Sequence, residues 1–305
     1  MKPDPRFLNQ PKLFWANVRS VSQHTGYTDR GTERIRVPGL PEMTRALNEL
    51  RLGSSHVVDN TGKATELGAN LAAYFEYRAK ALNEVVRTSL MDVSKARKTF
   101  KDLRARLRPR CPLPLNKQKG KKKGKAFFTC VINMLIEANS QGLPCDYDPR
   151  ELTAITFRGT PLRTLSRRVD GAFPSTINPI AVWEIKEYYY TTTFGSRVAD
   201  GVYETLLDGM ELEELREHEN IQVKHYLMVD DYNTWWNMGR SYLCRIVDML
   251  HMGYVDEVLF GSEVLERLPV IVKEWVVIAK QRAEQAEPVP HSLRPALTVR
   301  TRRKT

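Results

Sequence analysis

Two carboxylates and a lysine stand at spacings that would let them meet. Asp170 lies in Arg167-Arg168-Val169-Asp170-Gly171, and Glu184 and Lys186 lie in Val182-Trp183-Glu184-Ile185-Lys186. The segment from Ile180 to Lys186 is dominated by β-branched and aromatic residues, which predicts a strand. Pro174 to Pro179, rich in Ser, Asn and Pro, predicts the turn of a hairpin whose other strand ends near Asp170. Folding about that turn sets Asp170 opposite either Trp183 or Glu184. Side chains alternate along a strand, so Glu184 and Lys186 share a face and Ile185 opposes them. In the register that pairs Asp170 with Glu184, the two Cβ atoms lie about 5 Å apart. Two such oxygen ligands suit Mg²⁺, which binds through one or two carboxylates plus substrate phosphate and keeps several waters. A lysine two residues on can orient or deprotonate an attacking water and steady the charge that develops on phosphorus.

Asp170, Glu184 and Lys186 resemble the Asp…(Asp/Glu)-x-Lys signature of the PD-(D/E)xK nuclease superfamily, which includes many type II restriction endonucleases. The resemblance covers the motif and its surroundings, not the whole chain, and Val169 stands where the family name would put Pro. It implies an α/β fold with a restriction-endonuclease-like core, a mixed central β-sheet flanked by helices, here joined to a mainly helical N-terminal region. It also implies a Mg²⁺-dependent (Mn²⁺ as a possible substitute), sequence-specific endonuclease acting on double-stranded DNA and leaving a 5′-phosphate. Asp170 and Glu184 would hold the metal with the carbonyl of Ile185, and Lys186 would position the water. Enzymes that cut both strands of palindromic sites are usually symmetric, so a homodimer is expected. In many members a carboxylate from the helix before the catalytic strands joins the site. Glu137, near the end of the apolar stretch Ala126–Ala138, either fills that place or faces solvent. The alternatives are a structure-directed or repair nuclease, an RNA-acting defence nuclease of the same superfamily, and a non-catalytic DNA-binding protein with ornamental hairpin acids.

The net charge of +11 favours an anionic partner. It is concentrated: from Lys95 to Lys125 fourteen Lys or Arg stand against one acid, Asp102. Asp92 to Arg106 has helical character. Arg108 to Lys125, with its prolines and then Lys117, Lys119, Lys121, Lys122, Lys123 and Lys125, reads as a flexible linker that would neutralise backbone phosphates. The expected organisation is a helical DNA-recognition or dimerisation region over 1–116, a basic linker over 117–125, the nuclease core over 126–283 and a basic tail over 284–305.

Other chemistries find little support. Cys111, Cys130, Cys145 and Cys244 form no C-x-x-C pair, and the histidines have no metal spacing. No phosphate-binding loop or dinucleotide fingerprint occurs, so no nucleotide cofactor is expected. A polar amino terminus and the lack of a long apolar run predict a cytoplasmic chain with no membrane partner.

The elements that must position the site follow in order. Helices are predicted over Glu42–Leu52 and over Ala64–Thr88, with Thr65 as a cap; the gap between them is too long for a helix-turn-helix. After the apolar helix come strands over Leu152–Phe157 and Leu162–Asp170, then the Glu-x-Lys strand running on through Tyr188 to Thr191. Ser196 is expected to cap a helix from Arg197 to His218, whose acidic face (Asp200, Glu204, Asp208, Glu211, Glu214) should turn away from a DNA cleft or toward a partner subunit. A strand over Val223–Val229, a helix ending at Met252, a strand over Val255–Phe260 and a helix over Val264–Lys280 complete the order. Trp235-Trp236 and His225 read as core, and Asp230-Asp231 as turn residues.

Overall fold

The first hundred residues make helices. In the computed structural model, which describes residues 1–285 except Asn9, Arg30, Lys119, Lys121, Lys122, Thr193 and the side chain of Arg197, α1 spans Lys12–Thr25, α2 Leu40–Glu49 and α3 Glu66–Lys80. Helix α3 runs on through a π-helical turn, Ala81–Val86, into the short α4, Arg87–Ser89, and α5 follows at Val93–Leu107. The predicted cap is present, Thr65 accepting from the Gly68 amide at 3.1 Å, and Asp92 caps α5 in the same way, accepting from the Lys95 amide at 2.7 Å. Helix α1 was not foreseen; it is held by Phe14, Trp15, Val18 and Val21, which pack with Met43, Leu71 and Tyr74.

The remainder is mixed α/β, as expected. Helix α6 (Phe127–Asn139) precedes β1 (Asp146–Tyr147), β2 (Ala154–Phe157), β3 (Thr160–Thr164), β4 (Gly171–Phe173) and β5 (Ala181–Glu187). Helix α7 (Ser196–Glu219), β6 (Lys224–Asp230), α8 (Arg240–His251), β7 (Glu257–Phe260) and α9 (Val264–Gln285) complete the chain. The main sheet has the order β1-β4-β5-β6-β7, antiparallel across β1-β4-β5 and parallel across β5-β6-β7. Strands β2 and β3 form a separate hairpin that turns at Arg158-Gly159, both with positive φ.

Each face of the sheet has its own cover. Phe173, Trp183, Tyr226 and Met228 join residues of α6 and α9, and Trp183 stacks on Trp275 with ring centroids 5.5 Å apart. On the other face Val182 packs with Leu212 and Leu215 of α7, and Leu227, Val229 and Phe260 pack with α8. Trp235 and Trp236 are fully buried, as is the core histidine His225. The N-terminal helices are bound to this body by a buried ion pair, Arg78 on α3 with Asp248 on α8, to which Tyr74 also donates.

Several boundaries differ from expectation for local reasons. The strand paired with β5 starts after Asp170 instead of ending there. The strand predicted over Leu162–Asp170 stops at Thr164, because the Ser166 amide donates to Glu211 and Arg167 turns toward α7. Ser196 begins α7 without capping it; the cap position is Gly195 and no side chain fills it. The lysine-rich segment is tied at its base and is not a free linker. Leu115 pairs with Lys125, the Asn116 amide donates to Gly124, and Lys125 Nζ donates to the Leu113 carbonyl at 2.6 Å. Lys119, Lys121 and Lys122, and the tail from residue 286, lie outside the described residues. Among the described residues no helix is long and apolar enough to cross a membrane.

Asp230 does more than turn the chain. Fully buried at the end of β6, it accepts from the Met91 amide at 2.7 Å and from the Tyr189 hydroxyl, tying the sheet to the start of α5. Burial pushes its carboxyl up to about 8. The folded chain therefore keeps a proton that the unfolded chain releases in the ordinary carboxylate range. Stability from this group is full below that range and falls as pH rises toward 8. Urea denaturation of Asp230→Asn should show stability growing relative to wild type from pH 5 to pH 8. Asp230→Ala should lose about 1–3 kcal/mol at pH 5, because two buried donors are left without an acceptor, and this deficit should shrink toward pH 8, since the variant also lacks the titrating carboxyl.

Candidate active site

One glycine decides the register. A Cβ at Gly171 would stand 2.1 Å from the Trp183 ring, so only Gly lets β4 pass under that indole. With Gly171 opposite Trp183, the next residue back, Asp170, falls opposite Glu184. Of the two registers the sequence allows, the structure adopts the one that pairs the carboxylates. Asp170 N donates to the Trp183 carbonyl at 3.1 Å, and its Oδ2 accepts from the Ile185 amide at 2.8 Å. The contact shown by Ile185 is therefore through its N–H to Asp170.

Strand alternation sends Glu184 and Lys186 to the α7 face, while Trp183, Ile185 and Glu187 turn to α6. Gly201 of α7 lies against the aliphatic stem of Lys186, where a Cβ would come within 3.0 Å of Cδ. This close approach lets Lys186 Nζ bridge Glu184 Oε2 at 2.7 Å and Glu204 Oε2 at 3.1 Å. Trp235 Nε1 also donates to the Lys186 carbonyl and holds the strand at that point.

Arg167 completes the network. Its guanidinium reaches Glu184 at 2.9 Å, Asp208 at 2.6 Å and Glu204 at 3.3 Å. Three carboxylates (Glu184, Glu204, Asp208) thus pair with two cations, and the Asp170 carboxyl lies within reach of both charges. Burial pushes Glu184 upward, but Lys186 and then Arg167 outweigh it and hold the group below the usual carboxylate range. Asp170 is half-buried; its carboxyl is pushed up to about 6, first by burial and then by the charge of Glu184. Burial and Glu184 push Asp208 up to about 7. Lys186 stays above its ordinary value, because Glu184 and Asp170 outweigh its burial.

The donor chemistry fits a hard divalent cation. Asp170 and Glu184 stand opposite each other, and the burial and Glu184 charge that raise Asp170 are what such a cation would offset. Among the described residues no three His, Cys, Asp or Glu side chains form a ready-made metal cage. Mg²⁺ does not require one, since substrate phosphate and water complete its shell.

Asp170, Glu184 and Lys186 come together as the spacing suggests, whereas Glu137 does not join them. Its carboxylate accepts from the Arg110 amide at 3.0 and 3.2 Å, because α6 covers the opposite face of the sheet from Glu184. The strand acid that α6 does meet is Glu187, which accepts from the Thr129 amide at 2.7 Å and caps the helix in place of the incompetent Ala126. The acidic face of α7 is also corrected. Glu204, Asp208, Glu211 and Glu214 turn inward onto the segment 163–167, through Arg163, the Ser166 amide and Arg167. Arg167, Glu204 and Asp208 are thus site residues that sequence reasoning missed. The spacing of four between Glu204 and Asp208 showed that they share a helical face but not which way it turns.

Because Glu184 is fully buried, its two cations carry its stability. Lys186→Met should destabilise the fold by about 3 kcal/mol in urea denaturation, the cost of breaking a buried pair. Adding Glu184→Gln to that variant should recover most of the loss, which a role for Lys186 in packing alone would not permit.

Residues 1–85 match the family described as a domain of unknown function, DUF7690, and residues 91–275 match the family described as a domain of unknown function, DUF7687. No curated protein and no solved structure matches the chain. The second match contains the whole carboxylate cluster, from Arg167 to Asp208, and spans more than half of the chain, which therefore belongs to the DUF7687 family.

Proposed function

We propose that the chain is a Mg²⁺-dependent endonuclease of the PD-(D/E)xK kind, hydrolysing phosphodiester bonds of double-stranded DNA in a sequence-specific, restriction-type reaction. The observation that carries this reading is the pairing of Asp170 with Glu184 on the α7 face, beside Lys186. Asp170 and Glu184 would hold Mg²⁺, which when bound would polarise the phosphate and acidify a water. Lys186, kept charged by Glu184 and Asp170, donates to the water or the phosphate oxygen and steadies developing charge. Its raised pKa makes it a poor base, so of the two roles open to such a lysine, orientation is favoured over deprotonation.

The cationic surface supports a polyanionic partner. On α5, Lys95, Arg97, Lys98, Lys101, Arg104 and Arg106 are exposed, and none forms an ion pair among the described residues. Lys117 and Lys123 are exposed on the loop that follows, whose base at Gly124 adjoins Tyr190 just past β5. These groups would bind phosphates without reading bases. A homodimer remains the assembly suited to a palindromic site.

The test is incubation of a long plasmid with wild type and Glu184→Ala, with and without Mg²⁺. Discrete fragments that require Mg²⁺ and vanish in the variant are expected, with DNA binding retained. A smear that vanishes in the variant replaces sequence specificity with a repair or structure-directed role. Absence of cleavage of DNA, structured DNA and RNA overturns the catalytic reading. Replacing Arg97, Lys101 and Arg104 with Ala should weaken binding to all sequences alike, lowering the salt slope by about 0.9 for each phosphate no longer neutralised.

A further inference from the structure

Arg167 is unequally needed by its partners. Its Nη1 lies 2.9 Å from Glu184 Oε1 and 2.6 Å from Asp208 Oδ2. Its Nη2 lies 3.3 Å from both Glu184 Oε2 and Glu204 Oε2. Glu184 has a second cation, Lys186, at 2.7 Å. Asp208 is fully buried, and Arg167 is the one cation paired with it among the described residues. Its other oxygen, Oδ1, is buried without a hydrogen-bond partner. Glu184 can therefore release the guanidinium and remain paired, whereas Asp208 cannot. The free Oδ1 is the second acceptor that a two-pronged guanidinium–carboxylate pair requires.

We propose that Arg167 is a shared counter-ion that passes wholly to Asp208 and Glu204 when a divalent cation joins Glu184. Asp208 is then a positioning residue: it draws the guanidinium off the ligand carboxylate. The inference rests on the reading that Asp170 and Glu184 hold a divalent cation. A guanidinium and a metal ion on the same carboxylate repel each other. Because Nη1 already touches both carboxylates, the transfer needs a rotation of the side chain and not a relocation.

The test measures Mn²⁺ binding to the full chain by electron spin resonance or calorimetry, alongside each variant's melting transition. Wild type should bind Mn²⁺ and Glu184→Gln should lose it. Asp208→Asn should bind about tenfold more weakly, the size typical of losing a partner behind a metal ligand, because Arg167 then competes for Glu184. Asp208→Glu, which keeps a carboxylate, should bind nearly as wild type does. Arg167→Gln should bind more tightly. Should that variant not fold, Arg167→Gln with Asp208→Asn removes the pair together and should bind at least as tightly as wild type. Opposite shifts from the two sites are the signature, since a purely structural lock moves melting and not metal affinity in opposite senses. Equal or unchanged affinities, with wild-type binding intact, overturn the inference. No Mn²⁺ binding by wild type, or binding that survives Glu184→Gln, overturns the metal-site reading beneath it.

Discussion

The arrangement depends on one buried carboxylate. Glu184 sits at zero exposure in the middle of a sheet strand, where an ionised group is tolerated only with close cations and good hydrogen bonds. That requirement shapes its surroundings. Gly201 brings α7 near enough for Lys186 to reach both Glu184 and Glu204, and the chain leaves β3 early so that Arg167 can arrive from the other side. Trp183 shields the site from the α6 face, and it can do so only because Gly171 lies beneath its ring. A charge in a β-strand thus dictates a helix approach, a strand boundary and a glycine.

Much of this was legible in the chain, and the losses have physical causes. The apolar run into Glu-x-Lys marked β5, and alternation put Glu184 and Lys186 on one face. The register stayed open because it is set by the van der Waals clearance between Gly171 and an indole distant in sequence. Glu137 fell on the wrong side of the sheet because helix content says nothing about which layer a helix joins. The acids of α7 were expected to face away from a cleft or toward a partner subunit for a related reason. A charged stripe faces inward when cations wait for it, and Arg163 and Arg167 lie in a stretch that looked like plain strand.

Charge is also divided in space. The molecule is strongly positive overall, yet the proposed reaction centre pairs three carboxylates with two cations and holds the Asp170 carboxyl within reach of both. Attraction of a polyanion would therefore come from α5 and the lysine loop, while the centre itself resists phosphate until a divalent cation offsets its acids. On the proposed reading, long-range capture and local chemistry would thereby be separated.

The ion pair between Arg78 and Asp248 has a different consequence. Arg78 is 1% exposed, donates twice to Asp248 and also donates to Ser22 on α1, so one guanidinium joins three helices. The two family matches part between residues 85 and 91, which separates Arg78 from Asp248. A chain cut at that seam leaves a lone anion in the core of one piece and a lone cation in the other. The seam in sequence is thus crossed by a buried ion pair that joins the helical layer to the sheet.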